Sequence, residues 1–492
     1  MWSYHATNLL IHILAGLTLF GIMRRTLERW SELPSTRSSA PSNERVGGNP
    51  LHLIPAFAVA LIWTVHPLQT ESVTYIAQRA ESLMGLFYLL TLYGFIRSVE
   101  RLEVGRPVPG APVSSPELQS EGAPGTGRPT SICFAVFSVV FCQLGMATKE
   151  VMVSAPLIVL LYDRTFIAGT FREAWRRRRG YYLGLAATWL VLFGLAWGAG
   201  NRGRTVGFGL GVTSWDYALT QFQAIAHYLR LSVWPHPLIF DYGEQGVKRP
   251  SEVLWDALLV TGLVVGGAWA LAAKFRISNF EFRNLHALGF ACAWFFLILA
   301  PTSIIPLIRQ PIAEHRMYLP LAAVIAAVVV GFYRLFAGLT PWLAIALVCG
   351  CLTFHRNEDY RSKVALYRDT AAKRPANVLA HYNLGMALAE SGRREEAIAE
   401  FGEALRLEPE FPQAYFNRGN ALSSLGRINE AAGDYAAALR INPNYAEAHY
   451  NLGDVLLRLG RKKEARWHFN AAVLIKPDFS AARARLQAID QP

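Results

Sequence analysis

Residues 301–320 read PTSIIPLIRQPIAEHRMYLP, and two apolar runs, 287–300 and 317–336, enclose the turn within them. A helix needs about 20 mostly apolar residues to cross the hydrocarbon core of a bilayer. Flanks of this kind therefore mark a turn between two membrane helices. Arg309, Glu314, His315 and Arg316 gather in it, at what must be a membrane surface. Ionisable side chains are costly there, so they point to function first. This reading sets the fold as all-α, with a multispan membrane domain leading the chain.

Composition agrees. Charged residues make up 17% of the 492, below the roughly 25% of soluble domains. Apolar runs recur up to residue 355, so 1–355 reads as a polytopic domain. Its candidate spans are 4–23, 51–65, 82–96, 132–147, 151–162, 181–198, 253–273, 287–300, 317–336 and 341–354, about ten in all. Four basic loops alternate with the others. They carry Arg24, Arg25, Arg29, Arg37 and Arg45; Arg97, Arg101, Arg106 and Arg128; Arg164, Arg172 and the arginine run 176–179; and Lys274, Arg276 and Arg283. The positive-inside rule puts these four in the cytoplasm. The stretches 66–71, 149–150, 201–249 and 309–316 then face the opposite side, as does everything after the last span. Segment 218–235 carries Gln221, Gln223, His227 and Arg230, and is expected to lie in the interface or re-enter rather than cross. Residues 101–130, rich in Pro, Gly and Ser, lack the large apolar side chains needed to order themselves and read as a cytoplasmic loop. The net charge of +12 belongs to these anchors, not to nucleic-acid binding. The five cysteines lie in apolar runs without zinc spacing and read as small buried hydrophobes.

Beyond the spans the chain repeats itself every 34 residues. Gly385, Gly419 and Gly453 recur, as do Gly392, Gly426 and Gly460; Ala397, Ala431 and Ala465; Phe401, Tyr435 and Phe469; and Pro409, Pro443 and Pro477. This is the tetratricopeptide signature of a helical solenoid. The units are 378–411, 412–445 and 446–479, with a degenerate leading repeat and linker at 356–377 and a capping helix in 480–492. Such arrays bind extended peptides or partner helices on a concave face. Asn383, Asn417 and Asn451 recur at one position, each preceded by an aromatic residue: Tyr382, Phe416 and Tyr450. A ladder of amides could pair with any extended backbone, since each offers a donor and an acceptor. The alternative is that these residues stabilise the solenoid itself.

On the proposed outer side lie the acids Glu71, Glu150 and Glu314, the histidines His66 and His315, and the cations Arg79, Lys149, Arg309 and Arg316. Cations of this kind hold a phosphate, and a carboxylate can serve as a base. Lys149 and Glu150 read equally well as a structural ion pair. No spacing suits a metal site.

HPLQTESV at 66–73, TKEVMVSAPLIVLLYDR at 148–164 and AEHRMYLP at 313–320 resemble motifs of the transmembrane and tetratricopeptide-repeat-containing O-mannosyltransferases and their bacterial relatives. FQAIAHYLRLSVWPHPLIFDYG at 222–243 resembles that family's intervening region. The resemblance implies a C-type glycosyltransferase fold. It also implies transfer of a sugar, with inversion, from a polyprenyl-phosphate carrier to Ser or Thr of proteins on the non-cytoplasmic side. It implies Glu71 and Glu314 as catalytic groups, and Lys149, Arg316, His315, Arg309 and Arg79 as the donor-phosphate site, with His66 and Glu150 in the same cavity. The family motif more often has Arg directly after the glutamate, where this chain has His315. Residues 2–23 resemble the segment that follows the family's first outer loop, which normally holds its catalytic aspartate. That loop and the first span are therefore expected to be missing here. The implied partners are membrane lipid, the lipid-linked sugar as donor substrate and acceptor proteins; the residue spacing does not indicate a divalent metal, and no other cofactor is identified. The implied location is a bacterial inner membrane with periplasmic repeats, or the endoplasmic reticulum in a eukaryote. A non-catalytic membrane-anchored repeat scaffold is the alternative. A transporter of lipid-linked sugars is a third reading, and it leaves the repeats unexplained.

Overall fold

A computed structural model describes residues 2–32, 50–75, 78–104, 127–198, 213–243, 246–247, 249–273, 280–305, 311–333, 335–336 and 338–490; no strand occurs among them. The chain forms two compact units: Met1–Leu238 with Gly246–Asn357, and Ile239–Gln245 with Glu358–Pro492.

The first unit contains α1 (Trp2–Glu32), α2 (Pro50–Val65), α3 (Thr70–Thr74), α4 (Arg79–Val104), α5 (Gly127–Thr148), α6 (Ala155–Asp163), α7 (Phe171–Gly198), α8 (Ser214–Val233), α9 (Leu254–Ala272), α10 (Phe280–Ile304) and α11 (Pro320–Phe332), with α12 (Thr340–Asp359) at its end. Among the described residues six helices are long and apolar enough to cross a membrane: His5–Trp30, Arg79–Glu100, Thr130–Thr148, Glu150–Ala168, Pro250–Ala272 and Asn284–Ile304. A bent pair, His52–Val65 with Pro67–Thr74, passes the same test as one broken span. This makes the chain a membrane protein. Runs 317–336 and 341–354 fall on α11, an apolar helix of 13 residues, and on α12. Of the loop 101–130, residues 105–126 lie outside the described residues, and its two ends extend α4 and α5.

Helix periodicity decides what each span presents to its neighbours. Along α1, Asn8, Ile11, His12, Ala15, Leu19 and Ile22 are buried, while Leu9, Leu10, Ile13, Leu14 and Leu17 are exposed. The buried residues recur at spacings of three and four, so they form one stripe against the bundle. The other face is apolar too, as a lipid-facing surface is. On α4 the buried stripe runs through Met84, Tyr88, Leu92, Phe95 and Val99.

The bundle has two polar ends. At one, Arg25 of α1 pairs with Glu100 of α4 at 3.1 Å, and Thr26 bonds the Tyr162 hydroxyl at 2.7 Å. Beside them Arg178 donates to both Asp163 oxygens at 2.7 Å. The other end holds the starts of α1 and α4, the end of α5 and the turn 313–317.

The second unit is a solenoid of α13 (Lys363–Lys373), α14 (Val378–Glu390), α15 (Arg394–Leu407), α16 (Pro412–Ser424), α17 (Ile428–Ile441), α18 (Ala446–Arg458), α19 (Lys462–Ile475) and α20 (Ser480–Asp490). The repeat logic is visible atom by atom. A Cβ on Gly385, Gly419 or Gly453 would sit 2.8 Å from the ring of Phe401, Tyr435 or Phe469, so only glycine lets the two helices of each unit close. Gly392, Gly426 and Gly460 have φ of 82°, 78° and 77°, the left-handed turn that glycine adopts at least cost. The first helices of successive units, α14, α16 and α18, lie against one another, which places them on the inner side of the superhelix. Residues 239–245 are part of this unit. Asn377 donates to the Asp241 carbonyl at 3.0 Å, Phe240 packs on Tyr360 and Tyr367, and Arg374 lies over Tyr242.

Candidate functional site

The turn 313–317 is built to point inward. Ala313 is extended, Glu314–Met317 form one 3-10 turn, and Pro320 opens α11. Glu314, His315 and Arg316 are all buried. The carbonyls that follow are fastened by distant side chains. Trp63 and Gln69 both donate to the Tyr318 oxygen, at 2.8 and 3.2 Å. Trp294 donates to the Leu319 oxygen at 3.0 Å. His12 bridges the Tyr318 hydroxyl and the Thr64 carbonyl, 2.9 Å from each.

Glu71 stands in the first turn of α3. One of its oxygens accepts the His315 backbone N–H at 3.1 Å, and the other accepts Nδ1–H of the His315 ring at 2.7 Å. The far ring nitrogen lies 3.8 Å from Glu81, and Glu81 pairs with Lys149. The result is a row of acid, imidazole, acid and ammonium, with Glu71 and Glu81 each 3% exposed. Buried carboxylates persist only when paired and hydrogen-bonded, and here each has such a partner. Arg316 donates to the Pro311 carbonyl at 2.9 Å. It also lines a small cavity with Glu81, Thr302 and the apolar Met84, Val151 and Ile298. The arrangement offers fixed positive charge and oriented carboxylates at the edge of an apolar pocket.

The structure thus brings Glu71, His315, Arg316 and Lys149 together, with Glu314 buried in the same turn. It does not bring in Glu150, contrary to the sequence expectation. Lys149 is extended, with φ −159° and ψ 146°, so successive side chains point opposite ways. Lys149 reaches Glu81, and Glu150 is exposed. Arg79 turns instead to Asn8, its Nε donating to the amide oxygen at 2.9 Å. It lies two residues, or roughly 200°, around the helix from Glu81. His66 is buried and caps the 3-10 turn at Pro67–Gln69, accepting the Leu68 N–H at 3.2 Å. Arg309 lies outside the described residues.

Glu81 was missed by sequence reasoning, although a signal existed. It continues the buried stripe Met84, Tyr88, Leu92, Phe95 by one turn, and an acid in line with such a stripe faces inward. His12, Trp63, Gln69, Gln221, Tyr228 and Trp294 were missed as well. Each acts on backbone far away in the chain, and no local pattern announces that.

In the array, Tyr382, Phe416 and Tyr450 pack on the last residue of their own units, Phe411, Tyr445 and Phe479, at 4.8, 4.9 and 5.2 Å between ring centroids. Asn417 donates to the Tyr382 hydroxyl at 2.8 Å, and Asn451 donates to the Asn420 amide oxygen at 2.7 Å. Two of the three ladder amides thus hold neighbouring repeats together. Among the described residues Asn383 makes no such bond.

Models of the tetratricopeptide repeat match residues 385–426, 419–460 and 446–479. The human protein O-mannosyl-transferase TMTC1 is 22% identical over 456 residues, covering 82% of this chain and 46% of the relative. Protein O-mannosyl-transferase F38B6.6 of Caenorhabditis elegans is 22% identical, covering 84% and 51%. Tmtc3 of Drosophila melanogaster, with the same description, is 25% identical, covering 83% and 46%. The chain spans about half the length of these relatives. Among solved structures, MamA is 25% identical over 26% of this chain and 74% of its own, with a TM-score of 0.25. Membrane half first and tetratricopeptide repeats last, the chain is a homologue of the protein O-mannosyl-transferases.

Proposed function

We propose that the protein is a membrane glycosyltransferase. It moves a sugar from a polyprenyl-phosphate carrier to Ser or Thr hydroxyls of proteins on the non-cytoplasmic face, and its repeats hold the acceptor. The observation that carries this reading is the row of buried Glu71, His315 and Glu81 with half-buried Lys149, beside Arg316. Such charges are costly within a membrane domain, and they cluster where function requires them.

In this reading the acceptor hydroxyl attacks the anomeric carbon. The bond from that carbon to the phosphate oxygen breaks with inversion, and the phosphate leaves with the electron pair. The hydroxyl proton passes to a carboxylate. Glu71, oriented by two bonds from His315, is that base, and Glu314 is the second acid of the site. Arg316 and Lys149 supply positive charge against the departing phosphate. The location that fits is a bacterial inner membrane with periplasmic repeats, or the endoplasmic reticulum in a eukaryote.

One observation favours a non-catalytic scaffold instead. Both Glu71 oxygens already accept from His315, and Glu81 already holds Lys149, so the row closes on itself as a structural ion cluster does. Transfer from polyprenyl-phosphate-mannose to a Ser/Thr peptide, measured with the chain in nanodiscs, separates the two. Glu71→Gln and Glu314→Gln should each lower kcat by about 100-fold or more. Undiminished transfer by both variants would remove the site assignment. No transfer by the unmodified chain would favour the scaffold.

A further inference from the structure

Helix α8 is amphipathic and does not count among the six helices suited to cross a membrane. Its outer face carries Trp215, 63% exposed, and its buried stripe carries Tyr217, Gln221 and Tyr228. These lie at i, i+4 and i+11, one side of a helix, and all three are polar. Each bonds backbone of the segment that leads into the turn. The Tyr217 hydroxyl donates to the Thr302 carbonyl at 2.6 Å. The Gln221 amide donates to the Pro311 carbonyl at 3.1 Å. The Ala313 N–H donates to the Tyr228 hydroxyl at 2.8 Å.

The Pro311 oxygen is shared. Arg316 donates to it at 2.9 Å, so Gln221 and the guanidinium meet on one carbonyl. The turn itself is only four residues long, and the described residues just before it, 311–313, are not helical. Its downstream limb is pinned by Trp63, Gln69 and Trp294. Its upstream limb is pinned from α8. Buried backbone groups need such partners, and losing one leaves an unpaired polar atom.

We propose that Gln221 and Tyr228 are positioning residues. Helix α8 sets the place of the turn 313–316, and through it the place where His315 and Arg316 meet the donor's phosphate. The phosphate half of this statement rests on the glycosyltransferase reading above; the positioning half does not. Thr220 gives an internal control. It is adjacent to Gln221 on α8 and buried, but its hydroxyl accepts the Val247 N–H at 3.0 Å and makes no bond to 311–313.

The test uses the full chain in lipid nanodiscs, with two measurements on Tyr228→Phe, Gln221→Leu and Thr220→Val. Amide hydrogen exchange is followed over 311–320, and binding of a polyprenyl phosphate is followed by native mass spectrometry. Phenylalanine keeps the ring of Tyr228 and removes only the acceptor. Exchange at 313–317 should rise about tenfold in Tyr228→Phe, in keeping with the loss of one buried hydrogen bond. It should rise less in Gln221→Leu and stay unchanged in Thr220→Val. Polyprenyl phosphate should bind several-fold more weakly to the first two variants alone. Unchanged exchange in Tyr228→Phe overturns the proposal, as does an equal rise in Thr220→Val, which would reduce α8 to general packing. If the unmodified chain binds no polyprenyl phosphate while exchange still rises in Tyr228→Phe, the glycosyltransferase reading fails and the positioning role of α8 stands.

Discussion

The repeat array and the polar end of the membrane unit solve the same problem, that of burying polar groups safely, in opposite ways. In the array the acid sits at one repeat position, Glu400 and Asp434, and its partner comes from the first helix of the same unit. Arg418 meets Asp434 at 2.7 Å, and His381 meets Glu400 at 2.7 Å, each pair joining the two helices of one unit. In the membrane unit the partners come from positions 71, 81, 149 and 315, and no period links them. A contact confined to one unit can be lost while the neighbouring units keep their own. A contact assembled from four distant segments exists once.

The sharpest way to break this comparison is Lys149→Met. It would leave Glu81, 3% exposed, without its ammonium, and uncompensated buried charges cost about 3–5 kcal/mol. Thermal unfolding in detergent should show that loss. The double change Glu81→Gln with Lys149→Met should recover most of it. The matching change in the array, His381→Phe, faces the partly exposed Glu400 and should cost no more than about 1 kcal/mol. Equal losses at the two sites would erase the distinction.

The same contrast explains how much could be read from the sequence. The solenoid was legible because each contact is local and recurs: Gly385 against Phe401 predicts Gly419 against Tyr435. The all-α membrane half was legible from the apolar runs. Glu71, Lys149, His315 and Arg316 could be singled out because charge stands out against such a background. Their pairing could not. Which acid takes Lys149 depends on the facing of α4 and on the extended backbone at Lys149, and both are set by packing. Glu150 and Arg79 were grouped with the site by the membrane face they share and by the family resemblance, and the extended backbone at Lys149 and the helical turn at Arg79 point each away. The bonds from α8 to Pro311 and Ala313 span about 90 residues of chain and have no sequence signature.

A second test uses pH and sets one repeat against another. In the third repeat His449 and His468 face each other, their Nδ1 atoms 2.9 Å apart. Burial, and then the neighbouring His449, pull His468 down to about 4. Burial also lowers His449, against the bond it donates to Pro443. In the first repeat the equivalent pair is His381 with Glu400, and that bond raises His381 despite burial. The signs follow from linkage. A histidine lowered by the fold contributes stability that is present above its unfolded value, near 6.5, and lost as pH falls toward about 4. A raised histidine contributes stability that is present below its unfolded value and lost as pH climbs through its folded one. Exchange protection, corrected for the intrinsic pH dependence of amide exchange, should therefore fall in α18 and α19 on acidification below about 6.5, and in α14 on moving above it. His449→Phe should weaken the acid response without abolishing it, since burial alone still lowers His468. A uniform response across the repeats would show that the array behaves as one block.

The smallest expected effect concerns the asparagines. Asn417 and Asn451 each donate across a seam, the second to an Asn420 oxygen that also accepts the Tyr435 hydroxyl. Changing either to Ala should cost about 1 kcal/mol, so a triple replacement would confuse lost binding with lost stability. Asn383 makes no seam bond among the described residues, which makes Asn383→Ala the clean variant. Its stability should stay within about 0.5 kcal/mol of the unmodified chain. If the amides also read an acceptor's backbone, this one change should weaken acceptor-peptide binding several-fold, measured by fluorescence anisotropy on the full chain. Unchanged binding in Asn383→Ala, beside reduced stability in Asn417→Ala, would assign the ladder to the solenoid alone. The search for acceptor contacts would then move to other side chains on the inner helices α14, α16 and α18.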